Sequence, residues 1–302
     1  MSFTVEPATP QTARDAFQLM YAEEPAEIRK QLVTDSLHLL KTGELRYENL
    51  LLLFSEDQLI GMTVWWTNTA GGGQLWPPRV RSSLDSCAHE DSLMIAALSC
   101  LKNSDCKLIQ TLLTENELPL AEPLLRHGFT RVTTLLSMIC DLQSTNAPPT
   151  TDDWQFVPFS EETKPRFQDT IARSYVDTLD FPELLGTRSL DEVLEGHKYH
   201  GQFDPRFWLL AEHHGRPAAV LLLTEVPGWS EWELAYLGVV PEFRGRGVGK
   251  MLTALAISMS RNTGARRLHV SVDVRNEPAR RLYEQAGFHL ESEKHVFLHW
   301  LE

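Results

Sequence analysis

The chain has 302 residues, 42% of them hydrophobic, and a net charge of −13. That length suits two domains of ordinary size, each able to bury a core. No run of 18 apolar residues occurs, so a conventional membrane span is excluded, and the acidic balance argues against general phosphate-backbone binding to nucleic acid.

The N-terminus lacks a basic start followed by an apolar block, so a cytoplasmic location is the default expectation. Taken in chain order, FTVEPA reads as a strand and residues 10–42 carry two helical stretches. NLLLLFSEDQLIGMTVWW reads as a hairpin, SLMIAALSCLKN as a helix and KLIQTLLT as a strand. A short helix ending in RHGF and a strand pair, TRVTTLLSMICDL, complete this half. Cys87, Cys100, Cys106 and Cys140 match no common zinc spacing, so the expectation is small buried or half-buried hydrophobes and no metal.

Residues 141–154, DLQSTNAPPTTDDW, read as a linker. Beyond it the plan repeats. WQFVPF is a strand, residues 163–177 and 189–200 have helical spacing, and FWLLAEHHGRPAAVLLLTEV is a hairpin about His214-Gly215. ELAYLGVV is a strand, VGKMLTALAISMSR a helix, RRLHVSVDV a strand, NEPARRLYEQAG a short helix and FHLESEKHVFLHWL a final strand pair. Asn103 to Asn262 and Gly128-Phe129 to Gly287-Phe288 share an offset of 159. The expectation is a tandem repeat, with domains at 1–145 and 152–302.

The segment LGVVPEFRGRGVGK ends a strand at Val240 and enters a helix through glycines 245, 247 and 249. Such a turn aims successive backbone N–H groups, backed by the helix dipole, at one spot, and glycine lets a ligand approach the backbone closely. Arg244 and Arg246 add charge, and between Pro241 and Leu290 nine Lys/Arg face four acids. The pattern suits a pyrophosphate-bearing small ligand. A Rossmann unit would open with such a turn after its first strand, and Lys250 is followed by Met251 rather than the Ser/Thr of a Walker loop.

Arg244-Gly245-Arg246-Gly247-Val248-Gly249 resembles the R-x-x-G-x-G loop of the GCN5-related N-acetyltransferase (GNAT) superfamily. Asn276 to Phe288, NEPARRLYEQAGF, is similar to that family's motif B. The resemblance implies an α/β (α+β) fold of two tandem GNAT-like domains, each a mixed, mostly antiparallel central sheet flanked by helices. It implies an acyl-CoA, in the simplest case acetyl-CoA, as co-substrate, and direct acyl transfer to the primary amine of a small molecule or peptide.

In the family the motif A strand carries a bulge and parts from its neighbour, so by position Leu237 and Val239 would meet the pantetheine arm. Arg244, Gly245, Arg246, Gly247, Val248 and Gly249 would hold the pyrophosphate. Tyr283 matches the family's proton donor to the departing thiolate. Asn276 matches a position that bonds cofactor or substrate, although its side chain also suits a plain N-cap. Glu233, six residues before Val239 and assigned to the same strand face by alternation, is the candidate base, with Glu231 as alternative. His269 is read as structural.

At an offset of 159 the first half presents Asp85-Ser86-Cys87-Ala88-His89-Glu90 opposite the loop, and Leu124 opposite Tyr283. Two carboxylates would repel a pyrophosphate, so the first half reads as degenerate. Residues 179–205 lie where the family shapes its acceptor pocket and carry Asp180, Glu183, Asp191, Glu192, Glu195 and Asp204, either an acidic lining for an amine or a solvated face. The alternative function is a non-catalytic CoA-binding sensor or scaffold.

Overall fold

In the computed structural model the described residues are 3–68, 71–81, 86–144, 153–198 and 201–301. Most of the linker, Asp85, and Tyr199-His200 of the acidic segment lie outside them. In chain order the elements of the first half are β1 (Phe3–Pro7), α1 (Ala13–Met20), α2 (Ala26–Thr42), β2 (Leu50–Ser55), β3 (Gln58–Thr67), β4 (Gly72–Val80), α3 (Ser86–Lys102), β5 (Leu108–Leu113), α4 (Ala121–Arg126) and β6 (Thr130–Asp141). Those of the second are β7 (Trp154–Pro158), α5 (Lys164–Ser174), α6 (Leu190–Lys198), β8 (Trp208–His213), β9 (Arg216–Val226), β10 (Glu231–Val239), α7 (Val248–Asn262), β11 (Arg267–Asp273), α8 (Glu277–Gln285) and β12 (His289–Trp300).

The repeat persists strand by strand. Leu50 and Trp208, Leu108 and Arg267, and Thr130 and His289 open corresponding strands, at offsets of 158, 159 and 159. Where the sequence reads a pair of strands at each half's end, the structure has one unbroken strand of 12 residues, β6 and β12. No turn-forming pair interrupts either run, so nothing reverses the chain. Strand β4 carries no strand signal in the sequence, because Gly72-Gly73 and Pro77-Pro78 look like a loop.

Contacts divide the chain into two compact units that differ from the sequence halves. The first is Met1–Val132 with Val296–Glu302, the second Thr133–His295. In the first, strands run in the order β1-β2-β3-β4-β5. Helices α1 and α2 cover one face through Phe17, Met20, Val33 and Leu40, and α3 and α4 the other through Leu93, Met94, Leu101 and Leu124.

The second unit has the order β7-β8-β9-β10-β11-β6. Residues Ala218–Thr224 of β9 are buried without interruption, the mark of a central strand covered on both faces. Leu222 and Val220 meet Phe167, Ile171 and Leu194 of α5 and α6, whereas Leu221 and Leu223 meet the core under α7 and α8. Helix α7 docks by Leu252, Ala256, Ile257 and Ser260, an i, i+4, i+5, i+8 stripe. Of the cysteines, Cys106 and Cys140 are buried and Cys100 is half-buried as expected, but Cys87 is exposed on the first turn of α3.

Candidate active-site cleft

The cleft of the second unit begins with one extra residue. In the β9–β10 ladder Leu234 pairs with Leu223 and Tyr236 with Leu222, so Ala235 is bulged out. Strand β10 then leaves its parallel neighbour: it pairs with β11 only over Glu231–Glu233 and Arg267–His269. Beyond that, Leu234 to Val239 and Val270 to Val272 border a cavity of about 400 Å³ instead of each other. Backbone groups along the parted strand are available to an extended ligand.

The bulge corrects the placement of Glu233. Simple alternation puts it on the face of Leu237 and Val239, but an added residue inverts the parity. Leu234 and Leu237 pack with the core of α7 and α8, and Tyr236 with that of α5 and α6. Glu233 therefore shares the face of Tyr236 and Gly238, opposite Leu237 and Val239, and it does not border the cavity. The alternative, Glu231, is buried and already engaged: Arg267 pairs with it, and His269 Nε2 lies 2.7 Å from its Oε2.

Below the cleft the chain turns through Pro241–Phe243 into α7. Gly245 and Gly247 have φ of 69° and 79°, and Gly247 caps the helix with no side chain of its own. The first N–H groups of α7 have no partner within the helix and point toward the cleft end, a ready anion site. A Cβ at Gly247 would meet nothing within 4 Å, so the glycine is required by backbone conformation rather than by crowding.

Arg244 is a strut: its Nε donates to Val239 O at 3.0 Å and its Nη2 to Ser174 O at 2.8 Å. Arg246 lies over the Phe243 ring at 5.7 Å. The basic excess of this region is thus largely spent within the protein. Arg267 pairs with Glu231, Arg275 with Glu183 and Asp273, Arg280 with Glu284, and Arg281 with Glu277.

Leu237, Val239, Arg244, Gly245, Gly247, Val248, Gly249, Asn276 and Tyr283 all border the cavity; Arg246 and Glu233 do not. Tyr283 projects from α8 into the core beside Phe288, ring centroids 5.5 Å apart. Burial, with a smaller push from the negative charge of Asp180, raises its phenol well above the ordinary value, so it keeps its proton at neutral pH. Asn276 acts as the N-cap of α8, its Oδ1 accepting from Ala279 N at 3.2 Å.

Three further groups came to the cleft without a sequence signal strong enough to single them out. Tyr236 reaches Ser174 Oγ at 2.7 Å, and burial raises its phenol. Asp180 belongs to the acidic segment, and of the six acids there it alone borders the cavity. Among the others, Glu183 pairs with Arg275, Asp191 with Lys164, Glu195 with Lys198 and Asp204 with Arg206.

In the first unit β3 and β4 also shift register, between Met62 and Val64, and β4 pairs with β5 over only Gly72–Gln74. A cavity near the far end of β4, also about 400 Å³, is bordered by Tyr21, Trp76, Arg79, Asn116 and Glu117 but by no residue of β5. No glycine loop leads into α3. Its first turns instead carry Glu90 and Asp91, both bridged by Arg126, while Leu124 is wholly buried.

The model of the Acetyltransferase (GNAT) family matches residues 170–288. The matched stretch, well within the second unit, is a GNAT-family region. Among curated relatives, it is similar to a mycothiol acetyltransferase of Beutenbergia cavernae, 34% identical over 106 residues, covering 34% of this chain and 35% of that one. A mycothiol acetyltransferase of Acidothermus cellulolyticus is 33% identical over 190 residues, covering 57% and 56%. The matched stretches thus span from about a third to little over half of those relatives. Among solved structures, a GCN5-related N-acetyltransferase from Sphaerobacter thermophilus superposes at a TM-score of 0.67 and 16% identity, over 99% of this chain and 96% of that one. A tandem GNAT protein from the clavulanic acid biosynthesis pathway does so at 0.58 and 13%, over 100% and 99%. At such identities these two establish the fold, which is the tandem GNAT fold.

The remaining sequence expectations concern absences. No helix among the described residues is long and apolar enough to cross a membrane, and no group of three or more His, Cys, Asp or Glu there is placed to hold a metal.

Proposed function

We propose that the chain is an N-acyltransferase whose second unit moves an acetyl group from acetyl-CoA to the primary amine of a small molecule or peptide. The observation that carries this reading is the parted pair β10 and β11, which opens onto the uncapped N-terminus of α7 and has Tyr283 in its wall. The pantetheine arm would bond the free edge of β10 at Leu237 and Val239, and the pyrophosphate would sit on the N–H groups from Gly245 to Gly249. The amine nitrogen adds to the thioester carbon to give a tetrahedral adduct, the C–S bond breaks as that adduct collapses, and Tyr283 gives the thiolate its proton. The relatives named mycothiol acetyltransferase support an acetyl group as the one transferred.

The domain assignment, with a degenerate half at 1–145 and a working half at 152–302, is part of the same proposal. The acid-bearing start of α3 and the buried Leu124 support it.

The test is thermal unfolding with and without acetyl-CoA, on wild type and Gly247→Asp, followed by a search for acetylated amine. At 100 times its dissociation constant the cofactor adds about 2.7 kcal/mol. A shift in wild type that the folded variant lacks places the cofactor in the second unit. A shift without transfer to any amine supports the non-catalytic CoA-binding alternative.

A further inference from the structure

We infer that Asp180, rather than Glu233, is the carboxylate that takes the proton from the acceptor amine; this rests on the acyltransfer reading above. Among the acids weighed from the sequence, Glu231 is consumed by Arg267 and His269, and Glu233 stands back from the cavity. Asp180 borders the cavity that Tyr283 also borders.

Its position is fixed from several sides. Its Oδ1 accepts the backbone N–H of Asp273 at 3.0 Å, and the Asn276 side chain also bonds its carboxylate. The Phe181 N–H returns to Asp273 Oδ2 at 3.3 Å, and Phe181 holds a left-handed φ of 50° to make that turn. Asp273 is itself fully buried and locked by Arg275 Nη2 at 2.7 Å and Thr133 Oγ1 at 2.7 Å. Arg275 is locked in turn by Glu183 at 2.6 Å. A base held this way loses little freedom on reaching its substrate.

The charges around it favour the role. Asp180 has surface open to solvent at the cleft mouth, yet the surrounding protein crowds it. That crowding, together with the Asp273 charge, raises its carboxyl above the ordinary value against the pull of Arg275 and Asn276. Tyr283, Tyr236 and Tyr175 all lie near enough for its charge to raise their phenols. A carboxylate with raised affinity for a proton is a better acceptor of one from an ammonium.

The proton balance closes. The ammonium loses its first proton to Asp180, which passes it to solvent, and the free amine attacks. The second proton leaves nitrogen as the tetrahedral adduct collapses and replaces the one Tyr283 gave to sulfur.

The test uses the full chain with acetyl-CoA and three probe acceptors: glucosamine, 1,4-diaminobutane and an Ala-Gly-Gly-Gly amide. Product is read between pH 6 and 9.5 for wild type, Asp180→Asn, Asp180→Glu and Glu233→Gln. Asp180→Asn is expected to lose about 100-fold in kcat/KM at pH 7 and to recover at least tenfold by pH 9, where the amine deprotonates unaided. Asp180→Glu restores part of the rate at pH 7, and Glu233→Gln, whatever its rate, keeps the wild-type pH dependence. A loss in Asp180→Asn that is equal at every pH, or a pH limb that moves in Glu233→Gln instead, overturns the assignment. A wild type that gains no stability from acetyl-CoA, or acetylates none of the probes, overturns the acyltransfer reading and the assignment with it.

Discussion

Tyr236 lies along its own strand over Gly238, in space that a side chain at 238 would fill. A Cβ there would stand 2.5 Å from both the Tyr236 hydroxyl and Ser174 Oγ. The glycine therefore lets the phenol run flat to its partner on α5. Gly238→Ala is expected to cost about 1–3 kcal/mol by overpacking. It also dislodges the hydroxyl from Ser174. Urea unfolding measures the first effect, and the ultraviolet absorbance of the tyrosines near pH 10 to 12 reads the second.

Gly247→Ala isolates backbone conformation from charge. The added methyl touches nothing, so the expected stability cost is that of a left-handed L-residue, about 1–2 kcal/mol. Acetyl-CoA stabilisation should weaken in parallel, because relaxing that strain re-aims the first N–H groups of α7. Unchanged calorimetric affinity in the variant would count against a pyrophosphate seat at this turn.

Tyr283→Phe removes one oxygen from the cavity wall and little from the core. Its kcat is expected to fall by about 100-fold, with acetyl-CoA affinity within threefold of wild type. Rapid-quench analysis of acetylated product separates the two quantities.

Arg275→Met leaves Asp273 buried without its cation. The expected cost is about 3 kcal/mol, the lower end for a broken buried pair because the Arg275 side chain is 38% exposed. Although burial opposes it, the Arg275 pairing holds the Asp273 carboxyl below its usual range. Stability from that pair is therefore present above the unfolded carboxyl value and fades as pH falls through the depressed one. The wild type should lose this increment on acidification below about pH 4, and Arg275→Met should lack that part of the slope.

Asp180 has the opposite sign. A carboxyl raised in the folded state favours folding at low pH, and its contribution turns unfavourable as pH rises from the unfolded value through the folded one. Asp180→Asn is thus expected to be more stable than wild type at pH 7, with the gain vanishing near pH 3.5. Denaturant midpoints across that range check it. Stability gained as function is lost is the usual cost of an ionised group in a crowded cleft.

Much of this was legible from the chain. The glycine loop, Tyr283 and the repeat at 159 residues announce themselves because they depend on local spacing. The position of Glu233 did not, since one bulged residue at Ala235 reverses a face while leaving no mark in composition. Asp180 was visible only as one acid among six. What sets it apart is a backbone N–H of Asp273, 93 residues away, and no local pattern encodes that partner. Arg244 borders the cavity, but its bonds to two carbonyl oxygens, which no local pattern encodes, depend on where α5 ends.

The exchange of chain segments between the compact units has a consequence for synthesis. The second unit needs residues 133–144, which precede the linker, and the first is complete only when Val296–Glu302 has been made. On the ribosome the earlier unit must therefore wait for the later one, and neither reaches its final contacts while the last strand is still in the exit tunnel. A fragment cut at the linker would leave β11 without β6 along its edge. Gene truncations that respect the sequence halves would expose that edge to aggregation.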